Sequence, residues 1–206
     1  MIICLVTDRR RRSPIDQAGE AADAGVDLIQ VRERDLDARE LSDLAAAVVR
    51  ATRGSATKVV VNDRVDVALT CGAGGVHLRG DSIPAARVRA LAPPGFLIGS
   101  AVRDAREAAA AAPASDYLVA GTVFATASKP GMTAFLGLDG LRAIAKASPI
   151  PVLAIGGMTV ERAREVAAAG AGGLAAIGLF AEPHRPIKEV VRQLRERFNI
   201  GGEKFL

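Results

Sequence analysis

Tryptophan is absent from this sequence, and the aromatic residues are six phenylalanines and a single tyrosine. Aromatic rings usually supply much of a core's buried area, so the interior here has to be built from Ala, Val, Leu and Ile. That composition suits helices lying close against a parallel sheet. The two cysteines, Cys4 and Cys71, stand far apart without metal-ligand spacing, which argues against a disulfide framework or a zinc module and predicts reduced, buried thiols. No apolar run approaches the ~20 residues of a membrane span, and no signal peptide precedes the first apolar stretch. The expectation is a soluble, cytoplasmic protein with no membrane partner. There is no GxSxG, no HExxH and no cysteine-histidine pairing, so the common nucleophile and zinc-peptidase motifs are excluded.

The chain has 206 residues, half of them hydrophobic, and nothing marks a second core. One domain over residues 1–200 with a short loose tail at 201–206 is expected. Net charge is +4 with a pI near 9.5, yet most arginines fall within amphipathic helical patterns. Solvated helix faces account for them, and no nucleic-acid partner is expected. The run Arg9 to Arg12 is different, because it follows the first apolar segment directly. It reads as a solvated turn or, on a catalytic rim, as a means of attracting phosphorylated substrates. Association with further copies of the chain is left open.

Strand-like and helical patterns alternate along the whole length. Strands are expected at Ile2 to Thr7, Asp27 to Val31, Lys58 to Val61, Gly75 to Leu78, Phe96 to Gly99 and Asp116 to Ala120. Two more lie in PVLAIGGM, Pro151 to Met158, and its echo GLAAIGLF, Gly173 to Phe180. Between them lie helical stretches, among them Pro14 to Ala24 stopped by Gly25, a face of Leu41, Leu44, Ala45, Val48 and Val49, and a segment to about Cys71. Others are Pro84 to Leu91, Arg103 to Ala112, Leu138 to Ala147, Thr159 to Ala169, and a final helix with Ile187, Val190, Val191, Leu194 and Phe198 on one side. Eight such alternations favour an α/β fold, a single (β/α)8 TIM barrel. An open doubly wound sheet is the other possibility, but no GxGxxG follows the first strand. The connection from Gly121 to Gly137 is the longest, with Lys129 in its middle.

In a barrel the strand ends converge on one rim. They would bring together Asp8, Gln30, Arg32, Arg34, Asn62, Asp63, His77 and Lys129, with Gly156, Gly157 and Gly178 as a phosphate cup or as simple tight turns. Arg32 and Arg34 stand two apart on an extended segment, so both face one side and could grip one polyanion. Glu33 and Asp35 alternate with them, which also permits an ion-pair ladder. Asn62 and Asp63 offer oxygens suited to Mg²⁺ on phosphate, or an Asx-type helix cap. His77 has no neighbouring ligand residues and reads as a structural histidine, whereas His184 beside Pro183 is expected to be exposed.

Six motifs in order carry a resemblance: LVTD at 5–8, QVRERD at 30–35, VNDRVDVA at 61–68, GVHL at 75–78, GTVFATASKPG at 121–131 and AIGGM at 154–158. Together they resemble the thiamine phosphate synthase family, including its thiazole tautomerase branch. The resemblance implies a barrel that joins an aminopyrimidine diphosphate to a thiazole phosphate, releasing diphosphate. By matching position, Arg32, Arg34, Asn62 and Lys129 would hold the diphosphate, with Arg32, Arg34 and Lys129 as the catalytic set. Gln30 would face the pyrimidine, Thr126 would touch substrate, and Gly157 with Gly178 would take the thiazole phosphate. Asp63 would bind Mg²⁺.

The chain departs from the family pattern at four places. Arg34 stands where synthases usually have lysine. RGDS follows GVHL, so Ser82 replaces the second magnesium aspartate and Asp81 comes one residue early as its candidate substitute. Ala101 replaces a serine, and Thr122 stands where the tautomerase branch has its catalytic histidine. A synthase with small phosphorylated substrates is the leading expectation. The alternatives are a thiazole tautomerase-like isomerase and a non-catalytic binder of thiazole or thiamine phosphate.

Overall fold

The computed structural model describes residues 1–126, 131, 133–182 and 185–202; Lys129 and His184 lie outside the described residues. Its strands are β1 (Ile2–Val6), β2 (Leu28–Val31), β3 (Lys58–Asn62), β4 (Gly75–Leu78), β5 (Leu97–Val102), β6 (Tyr117–Gly121), β7 (Val152–Ile155) and β8 (Gly173–Ala176). Each pairs in parallel with the next, and β8 pairs with β1, so the sheet closes into a barrel. Around it run α1 (Pro14–Asp23), α2 (Ala38–Ala51), α3 (Val65–Thr70), α4 (Ala85–Leu91), α5 (Ala105–Ala111), α6 (Gly137–Lys146), α7 (Arg162–Ala168) and α8 (Ile187–Gly202). The expected single (β/α)8 barrel is the fold.

Side chains alternate across each strand, and two apolar layers result. Ile3, Leu5, Ile29, Val31, Val59 and Val61 pack outward against helix residues such as Leu41, Val48 and Leu141. Inside the barrel sit Cys4, Val6, Leu28, Tyr117, Val119, Leu153 and Ala175. Gly99 lies between His77 and Tyr117 in the strand register. A side chain at Gly99 would overlap the Tyr117 ring, so the missing Cβ makes room for the chain's one tyrosine. The His77 and Tyr117 rings then stack, 5.9 Å between centroids.

Local signals set the helix ends. Pro14 opens α1 behind a Ser13 cap, and Gly25 follows it at φ +76°, a conformation that costs glycine little. Asp37 and Glu40 form a reciprocal capping box on α2. On α8, Ile187, Val190, Val191, Leu194 and Phe198 are all buried, as their spacing predicts.

Some boundaries differ from the sequence expectations. β5 continues to Val102 because Ser100, Ala101 and Val102 pair with β6, although small polar residues there resemble a turn. The segment before Arg162 is not helical, since the Gly156–Gly157 turn delays α7. Helix α8 extends through Gly202, into the stretch read as a tail. Cys71 is half-buried rather than buried, because it caps the exposed end of α3; Cys4 is buried as expected.

Gly99→Val should lower the unfolding free energy by about 1–3 kcal/mol through overpacking. Adding Tyr117→Leu should recover part of that loss in a denaturant titration. Simple additivity of the two losses would mean that the positions do not share one space.

Candidate active site

The C-terminal ends of the strands surround a cavity of about 340 Å³. Gln30, Arg32, Arg34, Asn62, Gly157 and Gly178 line it, and Thr126 stands at its edge. With His77 and Gly156, which also line it, nine residues named from sequence meet in one place, while Lys129 lies outside the described residues. A depression of similar size, about 350 Å³, opens at the other end of the barrel. Its carboxylates are already committed: Asp27 accepts from the Ile3 amide at 2.8 Å and Asp116 from the Ile98 amide at 2.6 Å. Chemistry therefore belongs to the C-terminal rim.

The alternation Arg32-Glu33-Arg34-Asp35 does not form an ion-pair ladder. Glu33 points away from the cavity and is buried, accepting the Thr7 hydroxyl at 2.7 Å and the Arg9 amide at 3.1 Å. Thr7 Oγ1 in turn accepts the Arg32 amide at 3.0 Å, which fixes where the β2 end turns outward. Asp35 is taken by Arg9 at 2.9 Å and Arg10 at 2.8 Å. Among the described residues no carboxylate lies within ion-pair distance of Arg32 or Arg34. Burial and the neighbouring Arg34 lower the pKa of Arg32, with Arg79 adding to the effect. Asp8 and Glu33 oppose that shift from beyond ion-pair distance, without cancelling it.

The cavity floor is polar but neutral. Gln30 Nε2 donates to Asn62 Oδ1 at 2.9 Å, so the two amides orient each other. His77 is buried beside them, and its Nδ1 has no hydrogen-bond partner among the described residues. Burial, and secondarily the Arg32 charge, pull its pKa from 6.5 to about 4, so the imidazole is neutral near pH 7. Deeper in the barrel, burial pushes the Cys4 thiol up to about 12, which leaves it unreactive.

Across the cavity, Gly156 and Gly157 take φ values of +102° and +64° in the turn after β7. A Cβ at Gly157 would strike the Ala125 carbonyl and the Phe124 side chain. Arg162 donates to the Gly157 carbonyl and lies over the Phe124 ring, 4.3 Å from its centroid. This bracing leaves no room for a side chain at Gly157, whose positive φ also favours glycine. Gly178 opens a 3-10 turn after β8, and Arg11 Nη1 would lie 3.4 Å from a Cβ placed there. Arg11 also lines the cavity. Of the run Arg9 to Arg12, then, Arg9 and Arg10 hold Asp35, Arg12 pairs with Glu20, and Arg11 lines the cavity while its Nε lies 3.5 Å from Asp8 Oδ2. The turn reading holds for three of the four.

The acidic side is arranged differently from the magnesium expectation. Asp63 is not a helix cap: α3 begins after Arg64, which makes no side-chain cap bond. It sits at φ +65° with its amide donating to the His77 carbonyl at 2.8 Å. Its Oδ1 accepts the Ser82 hydroxyl, and its Oδ2 lies 3.3 Å from Arg79 Nη1. Asp81 points its Oδ2 at Arg79 Nη2, 2.6 Å away. The two carboxylates named as metal ligands therefore share a guanidinium instead of facing each other. Among the described residues no group of three or more His, Cys, Asp or Glu is placed to hold a metal ion. This donor set does not fit a two-carboxylate magnesium site, because a cationic side chain already takes an oxygen of each.

Two residues of the site were not singled out for it from sequence. Arg79 follows β4 as Arg32 follows β2, and that position was its available signal. Arg11 was hidden in a run of four like residues. His77 stands among the strand ends expected at the rim and reads there as a structural histidine. Its burial agrees with that assignment, but it also forms part of the cavity wall.

Fold and cavity define a (β/α)8 barrel protein whose rim carries guanidinium groups and glycine turns around one cavity. Residues 3–180 match the family model for thiamine monophosphate synthase. A thiamine-phosphate synthase of Methanoculleus marisnigri is 39% identical over 197 residues, covering 94% of this chain and 93% of the relative. One of Roseiflexus castenholzii is 42% identical over 180 residues, covering 85% and 79%. Among solved structures, a thiamine phosphate pyrophosphorylase from Pyrococcus furiosus superposes with a TM-score of 0.85 at 33% identity, over 97% of this chain and 96% of that one. The chain belongs to the thiamine monophosphate synthase family.

His77 predicts an acid-sensitive fold. The unfolded chain takes up a proton near pH 6.5 that the folded chain refuses until about pH 4, so stability falls as pH drops through that window. Denaturant titrations at pH 7 and pH 4 should show His77→Phe losing less stability than the parent, by on the order of 3 kcal/mol. An equal loss in both would remove His77 as the cause.

Proposed function

We propose that this protein couples an aminopyrimidine diphosphate to thiazole phosphate, giving thiamine phosphate and diphosphate. The observation that carries this reading is the cavity with two anion-binding sides: Arg32 and Arg34 without carboxylate partners on one, Gly157, Gly178 and Arg11 on the other. Two phosphorylated reactants require two such features, and the neutral Gln30–Asn62 pair lines the same cavity.

The chemistry follows from the charges. As the pyrimidine methylene carbon parts from diphosphate, positive charge grows on carbon and negative charge on the leaving oxygens. Arg32 and Arg34 meet the second, with Lys129 assigned the same task by its place in the family motif. Preorganised donors aimed at developing charge are worth about 10²–10³ each in rate. The Gln30–Asn62 amide pair supplies both donor and acceptor for an aminopyrimidine edge. The glycine amides and Arg11 fix the thiazole phosphate so that the ring nitrogen waits beside the methylene carbon, and Thr126 borders the same space. Holding the nucleophile there turns a bimolecular capture into a unimolecular one. No protein nucleophile takes part.

Isomerisation of the thiazole alone would need a proton carrier. Thr122 stands where a histidine would serve, and His77 is held neutral with a pKa of about 4. Both features favour coupling. Magnesium has no step in this scheme. No helix among the described residues is long and apolar enough to cross a membrane, and we assign the reaction to the cytoplasm.

Purified protein given both substrates should release thiamine phosphate and diphosphate in equal amounts. Arg32→Gln should lower kcat by about 10²-fold with a smaller change in the KM for thiazole phosphate. Absence of product, with thiazole phosphate binding intact, would contradict the proposal.

A further inference from the structure

Arg79 occupies a position that deserves a role of its own. It follows Leu78, the last residue of β4, as Arg32 follows Val31, the last residue of β2, and it lines the same cavity. Its guanidinium spans Asp63 Oδ2 at 3.3 Å and Asp81 Oδ2 at 2.6 Å. The loop carrying it is tied shut, because Ser82 Oγ accepts the Arg79 amide at 2.7 Å while donating its own proton to Asp63. Each oxygen of Asp63 is thereby engaged, one by a hydroxyl proton and one by a cation.

We propose that Arg79 is the resident cation of this rim and binds the diphosphate directly, so that diphosphate is held without a divalent metal. The inference rests on reading the cavity as a diphosphate site and deepens that reading. A guanidinium carries five N–H donors. Two are spent on Asp63 and Asp81, which leaves three for phosphate oxygens. The two aspartates orient the planar group, as carboxylates do for arginine forks elsewhere. Arg79 is also near enough to Arg32 for its charge to disfavour protonation there, so both groups act on one volume and a polyanion between them satisfies both. A Mg²⁺ ion on Asp63 would have to displace the Ser82 proton donor and then sit beside the Arg79 charge. Ser82 and Arg79 together convert a carboxylate pair suited to a hydrated dication into a fixed organic cation.

Calorimetric titration with inorganic diphosphate tests this independently of turnover. Wild-type protein should bind it with affinities within about threefold of each other in excess Mg²⁺ and in a chelator. Arg79→Gln should lose tenfold or more in the chelator, with an unchanged thermal melt showing that it folds. The double variant Arg79→Gly, Ser82→Asp should regain affinity only when Mg²⁺ is added. A tenfold or greater loss for the wild type on chelation would overturn the proposal, as would no diphosphate binding under either condition. Metal-free diphosphate binding without thiamine phosphate synthesis would instead count against the coupling reaction and leave the role of Arg79 standing.

Discussion

Closure of the parallel sheet is the constraint on which the rest depends. With β8 hydrogen-bonded to β1 there is no free edge, and every strand runs the same way. Whatever residue follows a strand is therefore delivered to one rim. Arg32, Asp63, Arg79, Thr122, Gly156 and Ile177 each stand immediately after a strand, and their meeting in or beside one cavity is a consequence of topology rather than of sequence proximity. Closure also demands a filled interior. This chain fills it with small and aliphatic residues plus one tyrosine, admitted because Gly99 has no side chain.

Charge is then sorted by which carboxylates are drawn away. The β1 and β2 ends are locked by Thr7 and Glu33, and the exposed Arg9 and Arg10 absorb Asp35. Half-buried Arg32 and exposed Arg34 are left with no carboxylate at ion-pair distance among the described residues. Exposed pairs such as Arg9–Asp35 contribute little stability, about 0–1 kcal/mol, but they decide which cations remain for substrate. The same logic operates with opposite result at Arg79, whose two carboxylates orient it. The rim thus holds its cations in two ways, one set without partners and one tethered.

Much of this was legible in the sequence because strand-length runs of Val, Ile and Leu punctuated by glycine have few other readings. The eight alternations, the α8 face and the convergence of Gln30, Arg32, Arg34, Asn62, Gly157 and Gly178 all follow from that pattern. What was not legible depends on partners distant in the chain. Glu33 next to Arg32 could have paired with it, and only the position of Thr7 and the Arg9 amide decides otherwise. Asp63 and Asp81 are eighteen positions apart, and their spacing gives no hint that Arg79 comes between them. β5 runs further than its sequence suggests since Ser100 and Ala101 carry weak strand preference and are held by their neighbours, Ser100 by β4 and β6 and Ala101 by β6. Arg11 could not be separated from three similar arginines until the β8 turn was placed beside it.

The central claim is that one cavity holds two anions on opposite sides. A crystal structure of the protein with thiamine phosphate and diphosphate tests it most directly. Diphosphate should lie against Arg32, Arg34 and Arg79, and the single phosphate against the amides of Gly157 and Gly178 with Arg11 beside it. Diphosphate bound away from Arg32 and Arg34, or both anions on the same side, would contradict the account.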